Sequence, residues 1–381
     1  YSMQGAATCV DNSTGNVVAI VGSRSQEDIK GYVLNRAYQS YRQPGSCIKP
    51  LNVYTPYLQL GNTPDTKVTD SQIDGGPANA DASYAGEMTL TDAVKWSKNT
   101  VAWNIYQQIT PKTGSSFLIK MGFHKIWVDK DYNAGALGGF TYGVTTEEMA
   151  GGYAALANDG VYRKATCIRL IVDASNKTVV NETNRDSKVY DKSASRMMTQ
   201  MLREVVLSGT GTSANVENAI VAGKTGTTNA SKDVWFCGYS KYYTTTVWAG
   251  YDYPKEMSGV NSRVNAIFKD FMTAVHTNLP VTDFSTVTQQ TTQPETTAAV
   301  QEETQSLPQE TTAIVPETET TGIEQVTPQQ VPSTTAQVPT TTPYQRWTTA
   351  PAQPKTTAPM QYGDIDATTR TDPDATARGE W

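Results

Sequence analysis

The amino-acid composition of this 381-residue chain changes abruptly near residue 284. From there to the end the sequence is mainly Thr, Pro, Gln and Glu, without the two-residue apolar spacing of a strand or the 3.6-residue spacing of a helix. A segment of this kind cannot bury enough apolar surface to offset the entropy that it would lose on ordering. The composition therefore predicts one folded domain over residues 1–280 and a disordered C-terminal tail over residues 281–381.

Strand-like sequences stand at both ends of the folded part, with helical sequences between them. Residues 6–22 have the pattern of two strands joined by a polar turn that contains Asn and Gly. Residues 219–252 contain three runs rich in β-branched and aromatic residues, and apolar residues recur with helical spacing over 264–275. These patterns predict an α/β chain of the α+β type, with one antiparallel sheet of about five strands flanked by helices.

The net charge of −6 limits the classes of partner that the chain can bind. Nucleic acids and anionic membranes reward clustered Lys and Arg, so neither is expected, and a neutral or peptide-like substrate is favoured. The sequence contains no apolar run of about 18 residues, the length that crosses a membrane. Because strand-like sequence begins almost at the first residue, we expect a piece of a longer protein whose membrane anchor lies upstream.

Cysteine and histidine are too sparse to suggest a metal site. The four cysteines are widely spaced, without a Cys-x-x-Cys pair or a neighbouring histidine, and they are Cys9, Cys47, Cys167 and Cys237. We expect buried free thiols, no metal and no cofactor. With only two histidines in the chain, a Ser-His-Asp triad is disfavoured, and a general base of another type is expected.

Ser46 and Lys49 stand three positions apart, where the sequence Ser-Cys-Ile-Lys precedes an apolar stretch. This spacing places both side chains on one face of a predicted helix. Pro50 fits at a helix start because the first helical N–H groups have no partner to lose. Alone the motif is weak, because a chain of this length contains about one Ser-x-x-Lys by chance.

Two further motifs follow in order. Ser-Lys-Asn at 97–99 lies between two helical patterns, and Lys-Thr-Gly-Thr at 224–227 ends an apolar strand. The strand presents alternate side chains to one face, and Gly226 would let a substrate backbone lie close to the sheet edge. Similar sequences at 112–114 and 213–215 are interpreted as a helix cap and a turn, because of the proline and the Gly/Ser/Thr-rich segment around them.

Together the three motifs resemble the active site of penicillin-binding proteins and serine β-lactamases. The likeness extends over nearly all of residues 5–255, through stretches such as LNRAYQSYRQPGSCIKP, MTLTDAVKWSKNTVAWNIYQ and VAGKTGTTNASKDVWFCGYS, and is to the transpeptidase domain of bifunctional class A penicillin-binding proteins. It implies a β-lactamase/transpeptidase-like fold with an all-helical subdomain. The Cys and Ile at positions 47 and 48 depart from the small residue and Phe more frequent in the family.

The resemblance assigns a role to each motif residue. The implied catalytic residues are Ser46, Lys49, Ser97 and Lys224. The implied substrate-binding residues are Asn99, Thr225, Gly226 and Thr227. Ser46 would be the acylated nucleophile, Lys49 its general base and Ser97 a proton relay. Lysine can deprotonate serine only if burial and a neighbouring positive charge lower the pKa of its amine. The backbone amides of Ser46 and Thr227 would form the oxyanion hole.

The implied substrates are peptidoglycan stem peptides ending in D-Ala-D-Ala, and β-lactam antibiotics would imitate them. The implied location is the cell surface, at the outer face of the cytoplasmic membrane, and we expect the tail to contact the cell wall. A D,D-carboxypeptidase, a serine β-lactamase and a non-enzymatic β-lactam sensor domain share the motifs and stay open as alternatives. A β-lactamase is disfavoured because no Glu stands in a matching loop context between the second and third motifs.

Overall fold

A computed structural model of the chain describes residues 2–25, 31–181 and 186–285. The predicted tail therefore lies outside the described residues, apart from positions 281–285. The strands in these ranges are β1 (Gln4–Asp11), β2 (Val17–Val21), β3 (Lys67–Asp70), β4 (Gly86–Thr89), β5 (Val161–Tyr162), β6 (Leu170–Val172), β7 (Thr178–Asn181), β8 (Ser187–Lys188), β9 (Ala222–Thr227), β10 (Asp233–Tyr239) and β11 (Tyr243–Gly250).

Five of these strands form one antiparallel sheet in the order β2-β1-β11-β10-β9. The two strands from the start of the chain join the three from its later part, since β1 pairs along its whole length with β11. The prediction of a five-stranded antiparallel sheet closed by distant segments is thus confirmed. In the neighbouring pair β9 and β10, Lys224 lies opposite Cys237.

The α-helices flank this sheet and fill the middle of the chain. They are α1 (Arg36–Gln39), α2 (Thr55–Leu58), α3 (Leu90–Lys95), α4 (Asn99–Ile109), α5 (Pro111–Lys120), α6 (Thr146–Ala157), α7 (Lys192–Ser208) and α8 (Asn261–Val275). Every residue of β10 is buried because helices cover both faces of the sheet. Trp235 and Tyr239 pack into one core with α6 and α7, whereas Val234 and Phe236 pack into a second core with α8.

The helical region between β2 and β9 carries small sheets that the sequence patterns did not predict. β3 pairs with β4, β5 with β8, and β6 with β7, each as two antiparallel strands. The β3–β4 pair contacts α3 and α4. It thereby places a loop, residues 71–85, beside the second motif.

The packed part of the chain continues past residue 280. The Phe284 ring meets Tyr239 edge to face, with 5.6 Å between ring centroids, and Asp283 pairs with Arg203 at 3.0 Å. One expectation about the cysteines needs correction: Cys167 is exposed, while the other three thiols are buried as expected. Among the described residues, no helix is long and apolar enough to cross a membrane.

Candidate active site

Ser46 lies on a short helical turn that leads into the helical region. The chain forms a 3₁₀ turn over Gly45–Ile48 and a π-helical turn over Pro50–Tyr54 before α2 begins. The regular helix start that we expected is therefore interrupted: the Thr55 N–H bonds the Pro50 carbonyl five residues back, and Pro56 has no N–H to donate to the helical ladder. We call residues 43–49 the nucleophile turn.

The nucleophile turn is anchored from behind by two buried aromatic side chains. Trp235 Nε1 donates a hydrogen bond to the Gln43 carbonyl at 2.8 Å, and the Tyr153 hydroxyl donates to the Cys47 carbonyl at 2.6 Å. The Cys47 thiol points into the core and donates to the Lys224 carbonyl at 3.2 Å. Cys47 thus faces away from the reacting side and is a buried thiol, as we expected.

Two glycines let the nucleophile turn lie against the end of β9. A β-carbon at position 45 would lie 2.8 Å from the Thr227 carbonyl oxygen, and Gly45 has a φ of 53°. A β-carbon at position 226 would lie 2.4 Å from the Pro44 carbonyl oxygen and 2.8 Å from Cys47 Sγ. Glycine at 226 is therefore required by the turn behind the strand, a reason different from the close approach of a substrate that we expected.

Lys49 is fully buried and turns toward the second motif. Its Nζ donates to the Ser97 carbonyl and to Asn99 Oδ1, both at 2.8 Å, and to the Lys98 carbonyl at 3.4 Å. Ser46 Oγ has no hydrogen-bond partner among the described residues. In this arrangement Lys49 is held by the Ser-Lys-Asn segment, and the serine hydroxyl is left available.

Ser97 joins the two lysines of the first and third motifs. Its Oγ accepts a hydrogen bond from Lys224 Nζ at 2.8 Å and from Lys49 Nζ at 3.5 Å. The residue has a φ of 58°, a left-handed conformation that is unfavourable for a side chain other than glycine. Such strain costs on the order of 1–3 kcal/mol and is concentrated at functional sites.

Burial controls the charge of both lysines. It lowers the pKa of Lys49 well below the ordinary value, and the positive charge of Lys224 lowers it further. Burial also lowers the pKa of Lys224, to about 8. Among the described residues, no carboxylate forms an ion pair with either lysine. The lowered pKa favours the unprotonated Lys49 amine, the state that a general base requires.

The threonines of the third motif lie at the open side of the site. Thr227 is exposed, and its hydroxyl donates weakly to Asn261 Oδ1 at 3.4 Å. The Thr225 hydroxyl shares a hydrogen bond of 2.8 Å with Thr210, a residue that we did not predict in the site. The only sequence signal for Thr210 was its place in the segment Gly-Thr-Gly-Thr at 209–212.

A second set of residues missed by sequence reasoning stands behind the Ser-Lys-Asn segment. The Lys98 ammonium points away from Lys49 and pairs with Asp70 at 3.3 Å and Asp81 at 3.0 Å. Asn79 accepts a hydrogen bond from the backbone N–H of Asn99 at 2.7 Å. No local pattern marks these residues, because their partners are distant in sequence.

The rejected motif copies and the two histidines have other partners. Thr113 lies in the first turn of α5, where Thr110 caps the helix, and residues 213–215 lie in and just after a 3₁₀ turn. His124 pairs with Glu148, and the hydrogen-bond partners of His276 are Ser240 and Met272. Within the described ranges, no group of three or more His, Cys, Asp and Glu side chains is arranged to hold a metal ion.

Comparisons with known proteins find similar sequences over most of the described domain. A family model described as the penicillin binding protein transpeptidase domain matches residues 5–273. Penicillin-binding protein 4 of Bacillus subtilis (strain 168) is 34% identical over 265 residues, which cover 68% of this chain and 42% of that protein. Penicillin-binding protein 1A of Aquifex aeolicus (strain VF5) is 37% identical over 298 residues, which cover 74% of this chain and 39% of that protein.

Solved structures share the fold. The penicillin-binding protein PonA1 from Mycobacterium tuberculosis matches with a TM-score of 0.63 at 22% sequence identity, over 74% of this chain and 79% of that chain. The chain spans about two fifths of the length of the curated relatives that it matches. It belongs to the family of penicillin-binding protein transpeptidase domains, in its class A form, as the motif resemblance implied.

Proposed function

We propose that this chain is a serine D,D-transpeptidase that cross-links peptidoglycan stem peptides through an acyl-enzyme on Ser46. One observation carries the proposal. Lys49 and Lys224 are both buried and both contact Ser97. In the described part of the chain, Ser46 Oγ has no hydrogen-bond partner and no carboxylate pairs with either lysine. Burial beside a second positive charge suits Lys49 as an amine base, because both lower its pKa. Lys224, which has no carboxylate partner among the described residues, can bind the substrate carboxylate.

Acylation begins when the neutral Lys49 amine takes the Ser46 proton. The Ser46 oxygen then attacks the penultimate carbonyl of a stem peptide ending in D-Ala-D-Ala, and the backbone amides of Ser46 and Thr227 hold the developing oxyanion. The peptide C–N bond breaks, and D-Ala leaves as its nitrogen receives a proton from the Lys49 ammonium, directly or through Ser97. Lys49 must turn from Asn99 toward Ser46 for the first step, and such catalytic contacts commonly tighten only when substrate binds.

Substrate is held by the remaining motif residues. The carboxylate of the terminal D-Ala lies against Thr225 and Thr227, with the Lys224 ammonium behind them. The second N–H of the Asn99 carboxamide donates to the substrate. An amine of a neighbouring stem peptide then attacks the ester, which restores the Ser46 hydroxyl and forms the cross-link. The domain would act at the outer face of the cytoplasmic membrane, and β-lactams would acylate the same serine.

The β-lactamase alternative requires a group that activates water toward the ester. Glu147 and Glu148 are the first two glutamates after the second motif. The Glu148 carboxylate caps α6 by accepting the Thr145 N–H at 2.9 Å and pairs with His124, and the charged neighbours of Glu147 are Glu148, His124 and Lys164. The described structure therefore favours slow deacylation by water. A D,D-carboxypeptidase would use the same residues with water as acceptor.

The first experiment is intact-mass analysis after incubation with benzylpenicillin. We expect one covalent acyl group, located at Ser46 by peptide mapping, that persists far longer than a β-lactamase turnover. The Ser46→Ala variant is the matched control and should show no adduct. Rapid recovery of free protein with excess hydrolysed penicillin would move the assignment to a β-lactamase.

A second experiment separates the two peptide-processing activities. A stem peptide ending in D-Ala-D-Ala is incubated with the protein and an excess of a second, amine-bearing stem peptide. A transpeptidase yields the cross-linked dimer, and its yield rises with the concentration of the amine peptide. A carboxypeptidase releases D-Ala at a rate that the amine does not change, with the shortened peptide as product.

The domain boundary is also a proposal. We place the end of the catalytic domain near Ser285 and assign residues 286–381 to a separate tail that contacts the cell wall, since the composition of these residues offers no apolar face. Truncation after Ser285 should leave the acylation rate and the thermal midpoint unchanged and reduce co-sedimentation with purified walls. A large fall in the thermal midpoint would show that the tail packs on the domain.

A further inference from the structure

The N-terminus of α4 is capped by a residue from another segment of the chain. This helix begins at Asn99, and the side chain of Lys98 before it makes no capping hydrogen bond. Instead, Asn79 Oδ1 accepts the backbone N–H of Asn99 at 2.7 Å and that of Thr100 at 3.3 Å. An oxygen in this position satisfies two of the N–H groups that a helix start leaves without partners.

The Asn79 side chain uses all of its hydrogen-bonding capacity. Besides accepting two bonds, its Nδ2 donates to Asp70 Oδ1 at 2.6 Å and to the Ser83 carbonyl at 2.8 Å. Only 5% of Asn79 is exposed, and Asp70 is completely buried. An amide that makes two donor and two acceptor bonds in a buried place is fixed in one orientation.

Asp70 ties this cap to the remainder of the helix start. Its Oδ1 accepts from the Thr100 hydroxyl at 2.5 Å, and its Oδ2 accepts from the Ala85 N–H at 2.9 Å and pairs with the Lys98 ammonium at 3.3 Å. The loop and the first turn of α4 are thus joined by one buried polar network. Displacing any member leaves other buried groups unsatisfied.

The residue that Asn79 holds is the one that meets Lys49. Asn99 Oδ1 accepts from Lys49 Nζ at 2.8 Å, and Asn99 Nδ2 donates to the Ala78 carbonyl at 2.9 Å. Only this orientation of the carboxamide directs an acceptor to the lysine and a donor to the carbonyl. Residues 78 and 79 therefore fix both the backbone and the side chain of Asn99.

We propose that Asn79 is a positioning residue for acylation. It holds Asn99 so that one side of the carboxamide meets Lys49 and the remaining N–H of Nδ2 meets the substrate amide. Asn79 itself does not contact the reacting atoms. The inference rests on the proposed function, because the step that it supports is acylation of Ser46.

A double-mutant cycle tests the inference. The second-order rate constant for acylation by benzylpenicillin is measured for the wild type, Asn79→Ala, Asn99→Ala and the double variant. We expect Asn79→Ala to reduce the rate constant roughly 10- to 100-fold, the scale of a misplaced catalytic group. Because Asn79 acts through Asn99, the double variant should acylate within about threefold of Asn99→Ala alone.

A control variant separates positioning from general destabilisation. Thr110 caps the neighbouring helix α5 by accepting the Thr113 N–H at 3.2 Å, and it is exposed. Thr110→Ala should lower the thermal midpoint, as the loss of any cap does, and leave the acylation rate constant unchanged. Should Asn79→Ala not fold, Asn79→Ser, which keeps a short oxygen acceptor, is taken through the same cycle.

The outcomes are distinct. If the loss of rate in the double variant equals the product of the losses in Asn79→Ala and Asn99→Ala, the two residues act independently and the positioning role is overturned. An Asn79→Ala rate constant equal to that of the wild type would also overturn it. If the wild type forms no adduct at Ser46, the proposed function fails first. In that case a crystal structure of Asn79→Ala still decides: Asn99 Oδ1 displaced from Lys49 supports positioning, and an unchanged contact overturns it.

Discussion

Lys49 and Lys98 are both buried at the Ser-Lys-Asn segment, but the pKa of Lys49 is lowered and that of Lys98 is raised. Lys49 is completely buried, and its partners are the neutral oxygens of Ser97, Lys98 and Asn99. Lys98 is 5% exposed and pairs with Asp70 and Asp81. Burial lowers the pKa of Lys49, whereas for Lys98 the effect of burial is outweighed by the aspartates, which raise its pKa.

The difference shows that depth alone does not decide whether a lysine is a base. Both ammonium groups lose hydration on burial, but only for Lys98 do ion pairs with carboxylates compensate for that loss. Lys98 therefore stays charged and supports structure. Within the described ranges Lys49 has no carboxylate partner, and a second ammonium lies nearby, so its neutral form is favoured and can accept a proton.

The sharpest test exchanges each lysine for arginine. Lys49→Arg should reduce the acylation rate about 10²–10⁴-fold, because a guanidinium has no accessible neutral form and general-base assistance is typically worth that much. Lys98→Arg, the matched control, should retain the rate within a few-fold, since a guanidinium also pairs with two carboxylates. Stopped-flow kinetics with a chromogenic cephalosporin measures both. An active Lys49→Arg protein would remove the base assignment.

The next test removes the charge of Asp70, the buried carboxylate that pairs with Lys98. Asp70→Asn should lower the free energy of unfolding by about 3 kcal/mol, because it leaves a buried ammonium short of a partner. Burial raises the pKa of Asp70, but hydrogen bonds from Thr100 and Asn79 outweigh it and the pKa is lowered. The stabilisation is therefore present above the ordinary carboxyl pKa and is lost as the pH falls through the folded-state value.

Urea unfolding at several pH values checks this prediction. The difference between the wild type and Asp70→Asn should be largest at neutral pH and shrink below about pH 4. Asp74→Asn changes an exposed aspartate of the same loop and serves as the control, with no expected loss. A pH-independent difference would mean that the Asp70 charge is not what stabilises the network.

The pH dependence of the acylation rate tests whether Lys49 acts as a neutral base beside a charged Lys224. The rate should rise as the pH increases through the lowered pKa of Lys49 and fall near pH 8, where Lys224 loses the proton that its anchoring role needs. In Lys224→Gln the alkaline fall should disappear. Loss of the neighbouring positive charge should also move the acid limb to higher pH, by raising the pKa of Lys49. An unchanged alkaline limb would contradict the role of Lys224.

The smallest effect is expected at the outer partner of Lys98. The Ser83 hydroxyl and the Lys98 ammonium lower the pKa of Asp81 to about 2, but 54% of its side chain is exposed. Asp81→Asn should therefore cost less than about 1 kcal/mol of unfolding free energy, as solvent screens exposed pairs. A loss as large as that of Asp70→Asn, measured by urea unfolding, would show that the two aspartates act as one unit.

The sequence by itself determined the strands of the main sheet, the last helix and the order of the motifs. Alternating and β-branched runs identified the five strands of the main sheet, and helical spacing over 264–275 identified most of α8. Ser46, Lys49, Ser97 and Lys224 were predicted as site residues because their three motifs, in this order, resemble those of a known family. The small sheets and the π-helical turn were missed, since two to five residues carry no periodic pattern.

Only the tertiary structure decided the protonation of the site lysines and the residues that hold the site in place. The lowered pKa of Lys49 depends on complete burial beside Lys224, which lies 175 positions away in the chain. Asn79 and Asp70 reach the start of α4 across 20 and 30 positions, so no local pattern could mark them. Spacing fixes only what neighbouring residues share, whereas charge compensation and hydrogen-bond satisfaction depend on groups that folding brings together from distant segments.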